Sequence, residues 1–248
     1  MRTARPQQVI RAYDGHLSAV YALALHPTLD VLLTGGRDAS CRVWDMRTRT
    51  QVHILTGHEN AVSSILANAA DPQVVTGSMD STVRTWDLAA GKVRSVLTHH
   101  KKSVRALAGH AREFAFVSAS VDAVKRWALP DCTFVHGYGS GSPGSILNTL
   151  ALNDDGVLVG GGDDGTLQMW DYATGHAFQG TASKAQPGSL DAEAGIFTAL
   201  FDVTGTRLIT GEADKSIKIW REDPDATPET HPIDMGAWEA QCRAFRRY

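Results

Sequence analysis

Short apolar runs separated by polar or glycine turns recur along the whole chain. In the first clear case "AVYALAL" and "VLLTG" lead to a turn at Arg37 and Asp38, followed by "SCRVW" and then "VHIL". Runs this short, alternating or wholly apolar and bounded by turn residues, predict four β-strands and little helix. Laid against itself, the chain repeats this order. The segments "TGGRDASCRVWD", "TGSMDSTVRTWD", "GGGDDGTLQMWD" and "TGEADKSIKIWR" align on Trp44, Trp86, Trp170 and Trp220, and a weaker unit, "SASVDAVKRWAL", adds Trp127. Successive tryptophans stand 42, 41, 43 and 50 residues apart, which defines five units. A four-stranded sheet cannot bury both of its faces alone, so repeated sheets are expected to pack on one another.

A repeat of about 40–45 residues with four strands, a Gly-His and a Trp-Asp resembles the WD40 β-propeller. The resemblance implies an all-β fold of five four-stranded blades over residues 1–223, with a C-terminal tail over 224–248. It also implies a hydrogen-bonded set in each blade, in which a loop histidine, a Ser/Thr and the turn aspartate join the tryptophan. In this sequence the set falls on His16, Thr34, Asp38 and Trp44, and again on His58, Thr76, Asp80 and Trp86. His100, Asp122 and Trp127 follow in the third unit, Asp164 and Trp170 in the fourth, and Asp214 and Trp220 in the fifth. The loop segments "GSPGSILNTL" and "DAEAGIFTAL" lack the histidine, so the last two blades are expected to rely on apolar packing.

Several segments lie partly in loops that the blade pattern does not dictate: "GHLSAVYALALHPTLDVLLTGGRD", "HHKKSVRAL", "QPGSLDAEAGIFTALFD", "EADKSIKIWRED" and "ATPETHP". They are similar to the pleiotropic regulator 1 family of WD40 proteins, over about Val9 to His231. That resemblance implies a non-enzymatic scaffold in the nucleus, holding spliceosomal proteins of the NineTeen-associated complex during pre-mRNA splicing. The family carries an N-terminal extension and seven blades. "QQVIRAYDGH" reads as the outer strand leading into an internal blade, so two blades are expected to be missing at the N-terminal side.

Composition narrows the chemistry. At 43% hydrophobic residues the 248-residue chain can bury a sizeable core, and a net charge of −3 supplies no overall basic field for nucleic acid. Any RNA contact is therefore expected to be local. Cys41, Cys132 and Cys242 are odd in number and far apart, which suits a reducing compartment, and no run approaches the roughly 18–20 apolar residues of a membrane span.

Apparent catalytic and ligand motifs fail on context. Gly139, Gly141 and Gly144 match G-x-G-x-x-G, but "ILNTLAL" after them reads as a strand rather than a helix that would receive a pyrophosphate. His26, His53, His110, His136, His176 and His231 form no close ligand pair with acidic or cysteine support. No catalytic, cofactor or metal residue is assigned.

Partner binding is expected on the face carrying the histidine loops. Tyr21, Ser63, Arg105, Asn148 and Phe197 occupy equivalent positions near the start of each innermost strand, and Arg37, Met79, Val121, Asp163 and Ala213 precede the turn aspartates. Lys101, Lys102 and Arg105 form a basic corner, with Arg94 near in sequence and no interleaved aromatics for base stacking. Separately, Trp44, Asp45 and Arg47 in "VWDMR" are similar to the WDxR motif that docks some WD40 proteins on cullin-RING ubiquitin ligase adaptors. That gives a second reading, a ligase substrate receptor. The tail "REDPDATPETHPIDMGAWEAQCRAFRRY" leaves the repeat, and Trp238 and Phe245 could anchor it along the last blade.

Overall fold

The computed structural model describes residues 9–110, 112–139, 146–227 and Gly236. The calls on Gly141, Gly144, His231, Trp238, Cys242 and Phe245 fall outside these residues. The first blade comprises β1 (Val20–Leu25), β2 (Val31–Gly36), β3 (Cys41–Asp45) and β4 (Gln51–Leu55). The second has β5 (Val62–Ala67), β6 (Val74–Ser78), β7 (Val83–Asp87) and β8 (Lys92–Leu97), and the third β9 (Val104–Gly109), β10 (Ala115–Ser120), β11 (Val124–Ala128) and β12 (Thr133–Tyr138). The fourth runs β13 (Leu147–Leu152), β14 (Val157–Gly162), β15 (Thr166–Asp171) and β16 (Ala177–Ala182). The fifth holds β17 (Ile196–Phe201), β18 (Arg207–Glu212) and β19 (Ile217–Arg221).

Each sheet is an antiparallel meander in sequence order. The first strands of consecutive blades are neighbours, so they line the axis of a propeller. The second strands are buried on both faces in the middle blades, which is why they read "VVTGS", "AFVSAS" and "VLVGGG". Small residues let neighbouring blades approach, and the apolar ones fill what remains. Four apolar clusters mark the four junctions, typified by Leu33 with Trp86, Val75 with Trp127, Val117 with Trp170, and Val159 with Ile196.

The fifth sheet has three strands among the described residues, not the four expected. In three of the other sheets one turn leads into the outer strand. Asp45, Asp87 and Asp171, each directly after its tryptophan, accept the backbone N–H two residues on at 2.7, 2.9 and 3.0 Å, reversing the chain into the outer strand. The third unit has Ala128 and the fifth Arg221 at that position, neither of which can accept, and the third still turns into β12.

The turn between the second and third strands explains the aspartate column. Asp80, Asp164 and Asp214 accept the N–H two residues on at 2.8, 3.1 and 2.9 Å, with Asp38 doing so at 3.4 Å. The intervening residue is left-handed: Ala39, Ser81, Gly165 and Lys215 have φ of 58°, 65°, 82° and 67°. The third unit is one residue shorter between Asp122 and Trp127 and has no such residue in the turn.

Candidate functional site

In the first blade Trp44 Nε1–H donates to Thr34 Oγ1 at 2.8 Å, and Thr34 Oγ1 lies 2.7 Å from His16 Nε2. His16 Nδ1 lies 2.9 Å from Asp38 Oδ2. An ionised carboxylate only accepts, so Nδ1 carries the proton and the threonine hydroxyl donates to Nε2. The second blade repeats the chain of bonds with Trp86, Thr76, His58 and Asp80 at 2.8, 2.7 and 2.9 Å. Burial holds His58 below its usual pKa, although Asp80 pulls the other way. Burial also opposes ionisation of Asp80, but hydrogen bonds from Thr82, His58 and the Glu59 N–H outweigh it and hold the carboxyl at about 2.

The later blades solve the same problem with different atoms. In the third, Ser118 Oγ bridges Trp127 and His100 at 2.8 and 2.7 Å, but the shortened turn leaves His100 Nδ1 3.6 Å from Asp122. Burial, with the positive charge of Lys125, pushes His100 down to about 4. In the fourth, Gly160 occupies the threonine column, where a Cβ would stand 2.8 Å from the Trp170 ring. Trp170 Nε1–H turns instead to the Gly139 carbonyl at 2.8 Å, and Asp164 binds the Thr166 hydroxyl.

The fifth blade departs from the apolar solution expected of it. Gln186 N–H donates to Asp214 at 2.9 Å, just as Leu17, Glu59 and Lys101 do to their aspartates, which places Ala185 in the histidine column and the extra residues after it. Buried Glu212 accepts from Ser183 at 2.7 Å and from Lys218 Nζ at 2.6 Å, and Lys218 also donates to the Lys184 carbonyl. Thr210 joins Trp220 to this charged group. The repeat alignment contained the signal: Glu212 is the acid in a column otherwise held by Gly36, Ser78, Ser120 and Gly162.

Tyr21, Ser63, Arg105, Asn148 and Phe197 share one backbone feature. Each is the extra residue of a β-bulge, since the register between first and second strands shifts at that position in all five blades. A bulge re-aims its side chain, and at Ser63, Arg105 and Asn148 it does so across the blade junction. Ser63 Oγ donates to the Val104 carbonyl at 2.6 Å, Arg105 Nη1 donates to Asn148 Oδ1 at 2.7 Å, and Asn148 Nδ2 donates to the Ile196 carbonyl at 3.3 Å and to Asp163 at 3.1 Å. Arg105 and Asn148 therefore stitch blades together. Tyr21 and Phe197 are 51% and 60% exposed, and Arg37, Lys101 and Lys102 are exposed as well. Arg94 lies apart from them, on outer strand β8.

The WDxR residues divide similarly. Trp44 is buried and Asp45 holds its turn, accepting from Arg47 N–H and from the Thr48 hydroxyl at 2.7 and 2.8 Å, which leaves the Arg47 side chain exposed. Among the described residues no group of three or more His, Cys, Asp or Glu is placed to hold a metal ion. No described helix is long and apolar enough to cross a membrane.

The pattern of the WD domain, G-beta repeat matches residues 7–45, 49–87, 132–171 and 186–221, well over half of the chain. The chain belongs to this WD40 family. The stretch outside those matches contains β9 to β11 of the third blade, where the shortened turn lies. Over 125 residues, half of this chain, it is 52% identical to pleiotropic regulator 1 of Homo sapiens, covering 23% of that protein. It is 56% identical over 112 residues to protein pleiotropic regulator PRL2 of Arabidopsis thaliana, 45% of this chain and 23% of that one. Pre-mRNA-splicing factor PRP46 of Saccharomyces cerevisiae matches at 49% over 123 residues, covering 50% and 27%. These alignments span about a quarter of the length of the curated relatives.

Proposed function

We propose that this WD40 chain is a non-enzymatic scaffold of pre-mRNA splicing that works in the nucleus by presenting its histidine-loop face to protein segments. The observation that carries the reading is its similarity, near one residue in two, to relatives named pre-mRNA-splicing factor PRP46 and pleiotropic regulator 1. The partners implied by the family resemblance are spliceosomal proteins of the NineTeen-associated complex. Tyr21, Phe197 and Arg37 offer apolar and guanidinium contacts of the kind enriched at interfaces, and Lys101 and Lys102 offer charge to an acidic segment. The same basic corner is where a local RNA phosphate contact would fall.

Affinity capture from nuclear extract tests this. The full chain should enrich splicing factors over an unrelated propeller, and a Lys101→Glu, Lys102→Glu variant should recover markedly less at unchanged thermal stability. Capture indistinguishable from the unrelated propeller removes the splicing reading. Equal capture by the charge-reversed variant removes the basic corner from it.

A further inference from the structure

An antiparallel meander puts the turn after each first strand at the far end of its blade from the histidine loop. Between two of these turns, after β5 and after β9, runs a groove of about 400 Å³, which Pro27 of the first blade also lines. The second and third blades each pack on a neighbour at either side, so the groove lies inside the run of blades and away from both end faces. The sequence explains the space. The five first strands end on Leu25, Ala67, Gly109, Leu152 and Phe201. Where the other blades place a large apolar side chain, the second has a methyl group and the third has none. The turn after β5 adds only Ala69 and Ala70, both exposed. Leu66, 2.9 Å from where a Cβ on Gly109 would stand, and Phe114, 39% exposed, give the groove apolar sides.

The polar part of the lining is asymmetric. His110 Nδ1 accepts from the Arg112 and Glu113 N–H groups at 3.0 and 2.9 Å, so the neutral ring carries its proton on Nε2. The ring is backed by Tyr172, with centroids 4.8 Å apart. His26 is oriented in the same way by the Thr28 and Leu29 N–H groups, but it is buried with the Asn68 backbone beside it, so His110 is the imidazole that opens on the groove. Among the described lining residues Arg112 and Glu113 carry the charge. Glu113 is bound to Arg126 at 2.5 Å, and Arg126 itself lies 4.1 Å above the centre of the Tyr172 ring. Arg112 faces Asp154 at 3.6 Å with both side chains more than half exposed, a pairing that holds it loosely. What the groove offers a ligand is therefore a guanidinium and an imidazole donor beside an apolar slot.

We propose that this groove binds a segment of a partner protein in which an aliphatic side chain stands within a few residues of an aspartate or glutamate. The aliphatic group fills the space left by Ala67 and Gly109, against Leu66 and Phe114. The carboxylate draws the Arg112 guanidinium away from Asp154, its two oxygens matching the paired N–H groups, and accepts from His110 Nε2–H. A basic segment is disfavoured, because it would meet Arg112 while Glu113 is already occupied by Arg126. The surface is separate from the histidine-loop face and does not rest on the splicing reading.

Peptide display on the full chain tests this, with random peptides of about a dozen residues as the probe and the Ala70→Trp, Arg112→Glu double variant as the counter-selecting bait. Peptides retained by the parent should carry Leu, Ile, Val or Met close to Asp or Glu. In fluorescence polarisation each single substitution should weaken them by about tenfold or more, Ala70→Trp by filling the groove and Arg112→Glu by repelling the carboxylate. Both positions are exposed, so the melting midpoints should match the parent. The Lys101→Glu, Lys102→Glu variant, altered on the other face, should bind as the parent does. Failure to select any peptide that prefers the parent to the double variant overturns the proposal, as do selected peptides without an acidic residue and binding that Arg112→Glu leaves unchanged. Binding lost in the Lys101→Glu, Lys102→Glu variant would put the peptides on the histidine-loop face and overturns it equally.

Discussion

Thr76 is the most informative single atom position in the second blade, because its hydroxyl is fully buried and serves two other buried groups. Thr76→Val keeps the shape of the side chain and removes only that hydroxyl. Trp86 Nε1–H and His58 Nε2, now 2.8 and 2.7 Å from it, would each be left without that partner. A buried polar group stripped of its partner costs about 1–3 kcal/mol, so two give roughly 3 kcal/mol in all. For a chain of this size that lowers the melting midpoint by about 6–12 °C. Thr76→Ser keeps the hydroxyl and loses a methyl, for about 1 kcal/mol, and Ser118 already does this work in the third blade. Differential scanning calorimetry on parent, Val and Ser variants at neutral pH provides the comparison. A Val variant melting within about 1 °C of the Ser variant would refute the reasoning, since the hydroxyl would then carry no weight of its own.

Acid should weaken the fold in a defined window. His100 and His136 are both pushed down to about 4, mainly by burial, so below their ordinary value of 6.5 the unfolded chain takes up protons that the folded one refuses. Stability is then lost between pH 6.5 and about 4, by about 3 kcal/mol for His100; His100→Gln should flatten the melting profile there, and an unchanged profile argues against the buried neutral histidine. In the fifth blade, Lys218→Met leaves the buried Glu212 carboxylate without its cation. A loss of about 3–5 kcal/mol is expected, read as a lower melting midpoint and earlier proteolysis between residues 183 and 221, and adding Glu212→Gln should restore most of it.

The repeat made much of this legible. Tryptophan spacing set the number of blades, and the turn aspartates and the loop histidines fell into register because a short hairpin tolerates few ways of closing. Even the bulge residues could be aligned. What they touch could not: Asn148 reaches the Ile196 carbonyl in the following blade, and nothing local to either residue encodes that approach. The charged group around Glu212 was hidden for a related reason: Ser183 stands 29 residues before Glu212, and Lys218, six residues after it, faces it only once β18 and β19 pair and the preceding loop folds over them.

By itself the sequence determined the unit: four short strands, a tryptophan to fill the junction, and polar residues spaced to satisfy its indole. Those are properties of local periodicity and turn geometry. Only the tertiary structure decided which faces are interior. Leu23 and Ile65 sit in the same column of equally apolar strands, yet one is 68% exposed and the other is partly buried against the preceding blade. Burial belongs to the packing of one sheet on the next, and that depends on which blade stands beside it.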